Sequence, residues 1–402
     1  MKTPIRLASF ALASILALPA VAEPDPADWD AVLEEAKGQT VYWNAWGGST
    51  TTNDFIAWVG SRVSEDHGVT LEHVKLTDTA DAVARVVAEK NAGTDTGGAI
   101  DMIWINGANF SAMKDAGLLF GPFAESLPNW AIVDVDGKTV TTDFTVPTDG
   151  YESPWAMAQV VFIYDSETLP EPPKSAAAIL EWAKANPGRF TFPQPPDFLG
   201  TTFLKQMLIE LVEAPSVLQA PAGENYAEVT APMWDWLAEI TPALWRSGKA
   251  YPQTGPRQLQ LINDGEVDMA ISFSPGEASA AIANDQLPES ARTFVLEGGT
   301  LGNASFVAIP YNASAKAGAM VVANFLLSAE AQLRAQTPDI LGYSTVLNMA
   351  ALSEAEAAAF DALDLGVATL SPAELGQALP EPHPSWMTRI EADWTERYGV
   401  AN

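Results

Sequence analysis

Thr40-Val41-Tyr42-Trp43-Asn44-Ala45-Trp46-Gly47-Gly48-Ser49-Thr50 carries the decisive pattern of this chain. Its first seven residues are apolar and aromatic, as a buried strand requires. Gly47 to Thr50 turn the chain, and Phe55, Ile56, Val59 and Val63 then fall on one face of a helix beginning near Thr52. The pattern recurs. Val69 to Leu76 reads as a second strand, and Asp78 to Lys90 as a helix with Ala80, Val83, Val86 and Val87 on its apolar side. Ile100 to Ile105 reads as a third strand, and Asn106-Gly107-Ala108-Asn109 opens a further helix that runs to Gly117. A βαβαβ series of this kind calls for a parallel sheet with helices on its faces.

After Pro170 to Pro173 the pattern starts again. Helices are expected at Ser175 to Ala185, Thr201 to Val212 and Met233 to Arg246, with another containing Gln258 to Asn263. Arg189 to Pro193 and Val267 to Phe273 read as strands, Ala214 to Glu224 as a loop, and Ser274-Pro275-Gly276 as the start of a helix. The fold class expected is α/β with two lobes, each a mostly parallel sheet flanked by helices.

The first residues bear on location. Lys2 and Arg6 precede an uncharged apolar run from Leu7 to Ala20, and Ala20-Val21-Ala22 supplies the small residues of a cleavage site. Residues 1–22 therefore read as a signal peptide, with Glu23 as the mature start. The run is shorter than the ~20 residues of a spanning helix. No cysteine is present, which excludes disulfides, thiolate metal sites, cysteine nucleophiles and a lipid-modified cysteine anchor. The expected location is periplasmic, soluble after cleavage.

The chain has 402 residues and a formal charge of −30, and loss of residues 1–22 makes it more negative. Nucleic acid is excluded as a partner, because its phosphates need clustered basic residues. Catalytic motifs are missing from the sequence. There is no G-x-S-x-G elbow, no P-loop stretch and no H-E-x-x-H, and His67, His73 and His383 are scattered. No metal and no cofactor are expected.

Ligands of open α/β sheets bind beyond the carboxyl ends of the strands. Four turns share that place: Trp46-Gly47-Gly48-Ser49, Asn106 to Asn109, Gly200-Thr201-Thr202, and Ser274-Pro275-Gly276 after Phe273. Each offers free N–H groups at a helix start beside hydroxyl or amide side chains. Trp46 ends its strand and is placed to face a ligand, whereas Trp43 and Trp104 are expected in the core. Asp197 and Glu277 sit beside these turns and can meet a cationic group or serve only as caps.

The order of these segments resembles the solute-binding proteins of bacterial ABC importers, in the class with two α/β lobes, and within them the YnjB-like group. The resemblance rests on Val41 to Gly48, Asp101 to Gly107, Pro154 to Gln159 running into Phe162 to Asp165, Leu261 to Asp268, and Phe306 to Pro310 followed by a helix around Ala323 to Gln332. It implies hinge crossings near Pro154 to Val161 and Leu301 to Ala308, with Trp155, Gln159 and Asn303 on the cleft floor. One lobe would hold residues 23–154 and 305–345, the other 155–304 and 346–402. The implied function is a monomeric receptor that clamps a small polar organic solute, cationic or sugar-like, and delivers it to a membrane permease. An exported hydrolase with carboxylate chemistry, or a binding protein serving a sensor, remain the alternatives from sequence.

Overall fold

The computed structural model of the chain describes residues 23–376 and 378–399. The expected signal peptide lies outside them. Among the described residues no helix is long and apolar enough to cross a membrane.

Among the described residues ten strands follow in chain order: β1 (Thr40–Trp46), β2 (Thr70–Leu76), β3 (Met102–Ile105), β4 (Thr142–Asp143), β5 (Val146–Pro147), β6 (Glu152–Gln159), β7 (Val161–Asp165), β8 (Met269–Ser272), β9 (Ala291–Phe294) and β10 (Gly302–Ala308). The first sheet has the order β2-β1-β3-β10-β6. Strands β1, β2 and β3 are parallel, as the repeating strand–helix pattern predicts. Val41, Trp43 and Ala45 point into one core, with Phe55, Val59 and Val63 of the helix Thr50–His67. Ile103 and Ile105 point into another, with Ala82 and Val86 of the helix Thr79–Asn91 and Phe110 and Met113 of the helix Ala108–Asp115. Helices thus cover both faces.

The second sheet has the order β8-β7-β9, and β7 is antiparallel to both neighbours. In the first sheet β10 is antiparallel to β3 and β6. The expectation of mostly parallel sheets therefore holds for β1 to β3 and is corrected elsewhere. The reason is connectivity: a helical crossover returns a chain parallel to its start, but β7 and β10 enter their sheets directly from the other lobe. Only Val160 separates β6 from β7. Around the second sheet, Phe162, Phe190, Phe192, Phe203, Met207 and Trp236 form a core with Trp386, Ile390 and Trp394 of the helix Pro384–Tyr398.

Other elements also depart from expectation. The stretch Arg189 to Pro193 contributes only an isolated bridge from Phe190 to Met269 rather than a strand. The helix expected at 233–246 spans Tyr226–Ile240, carries Pro232 in its interior and passes into a 3₁₀ turn at Thr241–Ala243. The late helix is two, Lys316–Leu326 and Ala329–Gln336, because Ser328 caps the second by accepting from Ala331 N at 3.1 Å. Val346, Leu347 and Phe360, assigned to the second lobe from sequence, are buried in the first core.

Candidate functional site

Of the four predicted turns, the one at Ser274 touches the other lobe directly. In the first, Trp46 is half-buried and its ring covers Gly48, where a Cβ would stand 2.3 Å from the indole. Only glycine permits that approach. Gly47 is anchored through its N–H to Leu76 O at 3.0 Å. Ser49 caps the helix Thr50–His67 and is 2.8 Å from the Thr51 hydroxyl. In the second turn, Asn106 donates to Ala304 O at 2.7 Å, so its amide braces β10. Gly107, at φ 59°, donates its N–H to Asp143. Asn109 is half-buried on the first turn of its helix.

On the second lobe, Asp197 caps the helix Phe198–Leu211 by accepting from Leu199 N and Gly200 N at 3.0 and 3.3 Å. Thr201 donates to Glu391 at 2.7 Å, whereas the buried Thr202 hydroxyl has no partner. Phe273 is half-buried and meets Phe198 edge-on at 5.4 Å. Ser274 donates to Leu341 O and Gly342 O of the first lobe, at 3.4 and 3.3 Å. Close by, a Cβ on Gly276 would stand 2.6 Å from Gly342. The two backbones touch there, and both residues must stay small. Glu277 accepts from the Ser272 hydroxyl, and burial raises its carboxyl pKa.

The expected cleft floor is corrected in part. Trp155 is 1% exposed and packs among Trp43, Phe55, Trp104 and Tyr343, with ring centroids 4.8 to 6.1 Å away. It is a core residue here and has no free face for a solute. Gln159 is buried and donates to Thr300 Oγ1 and Leu375 O at 3.2 and 3.1 Å. Asn303 is buried and donates to Glu381 at 3.0 Å. Both brace the crossing.

Four residues at the lobe junction, Lys205, Glu381, Phe144 and Asp143, escaped the sequence reading. Lys205 and Glu381 pair at 2.7 Å, and each is 1% exposed. Phe144 of the first lobe lies 4.4 Å from the Lys205 ammonium, and Phe198 lies 5.6 Å from it. Asp143 is fully buried. Desolvation pushes its carboxyl up to about 8, against the Gly107 N–H and Asn106 amide, with Glu381 raising it and Lys205 lowering it. Asp197 is pushed up to about 6 by burial, against its two amide contacts, and the charge of Asp78 adds to the rise. Lys205 carried a usable signal: it is a lone charge in an apolar run, Phe203-Leu204-Lys205-Gln206-Met207-Leu208. Its partner, 176 residues away, carried none.

These two lobes and their junction are those of a solute receptor. The chain belongs to the bacterial extracellular solute-binding protein family, whose model matches residues 58–362. It is 44% identical over 374 residues to Protein YnjB of Escherichia coli (strain K12), across 93% of this chain and 94% of that one. Three solved structures share the fold. The periplasmic binding protein AfuA from Actinobacillus pleuropneumoniae, with fructose 6-phosphate bound, has a TM-score of 0.63 and 14% identity, over 90% of this chain and 99% of that one. A putative spermidine/putrescine ABC transporter protein from Listeria monocytogenes has 0.63 and 17%, over 89% and 98%. A ferric binding protein from Campylobacter jejuni has 0.60 and 13%, over 89% and 98%. At such identities they speak for the fold alone.

Proposed function

We propose that this chain is the periplasmic receptor of an ABC importer for a small polar organic solute, acting as a monomer without catalysis and exported with loss of residues 1–22. One observation supports the reading: the chain passes between the two sheets at β6–β7, through the single residue Val160, and again at β9–β10, and beside these crossings Ser274 of the second lobe meets Leu341 and Gly342 of the first. Rotation about such a crossing opens and closes a cleft. A solute that touches both lobes favours the closed form by its differential contacts there. Trp46, Gly47, Gly48, Ser49 and Asn109 are the proposed contacts from the first lobe, and Phe273 with Ser274 those from the second. Asn106, Thr201, Thr202, Gln159 and Asn303 stand behind them as supports.

The test is a thermal-shift screen of ligand-stripped protein across sugars, sugar phosphates, amines, amino acids and carboxylates. A solute at 100 times its dissociation constant adds ~2.7 kcal/mol of stability. Stabilisation by one class, diminished in Trp46→Ala, is the expected outcome. No shift with any class would sink the reading.

A further inference from the structure

Phe144 is 7% exposed, yet none of the hydrophobic clusters of the described residues includes it. It stands at the tip of the hairpin made by β4 and β5, where Asp143 pairs with Val146 across the turn Phe144-Thr145. On one side its ring lies against Gly107 of the first lobe, where a Cβ would stand 2.6 Å from it. On the other side is the Lys205 ammonium of the second lobe, 4.4 Å from the ring centroid. The ring is therefore buried by both lobes together and not by the core of either.

The backbone supplies an independent observation. Phe144 has a φ of 53°, in the left-handed region that disfavours bulky side chains and suits glycine or asparagine. A hairpin tip filled by either of those would be relaxed. The strain at Phe144 has to be offset by what its ring touches. Both sides of the contact are held firmly. Thr148 donates its N–H to Thr141 O at 3.0 Å, and Asp143 accepts from the Gly107 N–H, so the hairpin is fixed to its lobe. Glu381 fixes Lys205 at 2.7 Å on the other. An ammonium over a ring face is attracted more strongly where water is excluded, and both groups here are buried. Alongside, the helix Ala108–Asp115 that Gly107 opens packs against the helix Pro384–Tyr398 of the second lobe.

Parting the lobes takes the Phe144 ring off Lys205 and leaves an apolar side chain on a strained hairpin tip in water. We propose that the hairpin Thr142–Pro147 is a latch between the lobes, with Phe144 as its bolt and the Lys205 ammonium as its keeper. The latch biases the lobes towards closure before any solute binds. It rests on the receptor reading above for its purpose. A solute that binds the closed form meets a population already shifted towards it, and its apparent affinity rises by that fraction. The latch therefore scales the affinity for every solute alike and selects among none of them.

The test measures the distance between the lobes in ligand-stripped protein. The chain has no cysteine, so D115C/E228C places a spin label at one exposed position on each lobe and nowhere else. Double electron–electron resonance then gives the distance distribution. In this background Phe144→Asn removes the ring but suits the φ of the hairpin tip, and Phe144→Leu keeps an apolar side chain without a π face. The asparagine variant should raise the population at longer distances by about threefold or more, with far-UV circular dichroism unchanged, and the leucine variant should fall between it and the parent. If the asparagine variant does not fold, the leucine variant decides by the same shift. A distribution that stays the same, or moves to shorter distances, overturns the latch and leaves the receptor reading standing. Failure of the receptor reading shows separately, as the absence of any solute-induced shift in the thermal screen.

Discussion

Lys205→Met removes the ammonium that Glu381 holds at 2.7 Å with both residues 1% exposed. Glu381 keeps the Asn303 amide at 3.0 Å but loses its counter-charge, and Asp143 loses the ammonium that lowers its pKa. Breaking a buried pair from one side costs about 3–5 kcal/mol, because the remaining charge stays buried. Methionine fills nearly the same volume beside Phe144 and Phe198, so little of that loss is cavity. Glu381→Gln should cost a similar amount, since Lys205 is then left without its partner. The double variant K205M/E381Q leaves neither charge and should be far more stable than the summed losses predict, by about 3 kcal/mol or more. Urea unfolding of all four proteins, followed by tryptophan fluorescence and far-UV circular dichroism, gives the cycle. If the two single losses simply add in the double variant, the buried pair is not the unit described here.

Asp143 and Asp197 have folded pKa values raised to about 8 and about 6. The folded chain therefore holds protons that the unfolded chain, titrating near pH 4, releases. Stability of the solute-free protein should be greatest at the acid end of this window and fall as pH rises from about 4 to about 8; Asp143→Asn should flatten the slope in urea titrations at each pH. Gly107→Ala adds a Cβ 2.6 Å from the Phe144 ring at a φ of 59°, and should cost at least about 1 kcal/mol in the same assay. Trp155→Ala empties the centre of the aromatic cluster and should destabilise by about 3–5 kcal/mol, read as a fall in urea midpoint.

The first lobe was legible because its signals are local. Strands β1 and β3 are largely apolar runs closed by turns, β2 at the sheet edge interleaves Leu71, Val74 and Leu76 with polar residues, and the helix that follows each has one apolar face. The strands that join the lobes were harder. In β6 the first five residues are all buried, so period-two alternation could not tell which face Trp155 takes. The direction of β7 and β10 depends on which lobe the chain has just left, and no local pattern records that. The proposed binding turns could be named because glycine, hydroxyl and amide residues at helix starts have a local logic. The buried pair of Lys205 and Glu381 could not, because its two halves are far apart in sequence and only the folded chain joins them.

The second core is completed by a segment that follows every strand of both sheets. Trp386, Ile390 and Trp394 fill it from the helix Pro384–Tyr398, and Glu381 just before that helix neutralises Lys205. A nascent chain that has reached residue 380 holds the complete first sheet, yet lacks the apolar plug and the counter-charge of its other half. Topology thus writes an order of assembly into the molecule: the first sheet has its parts early, and the second core must wait for residues 381–394.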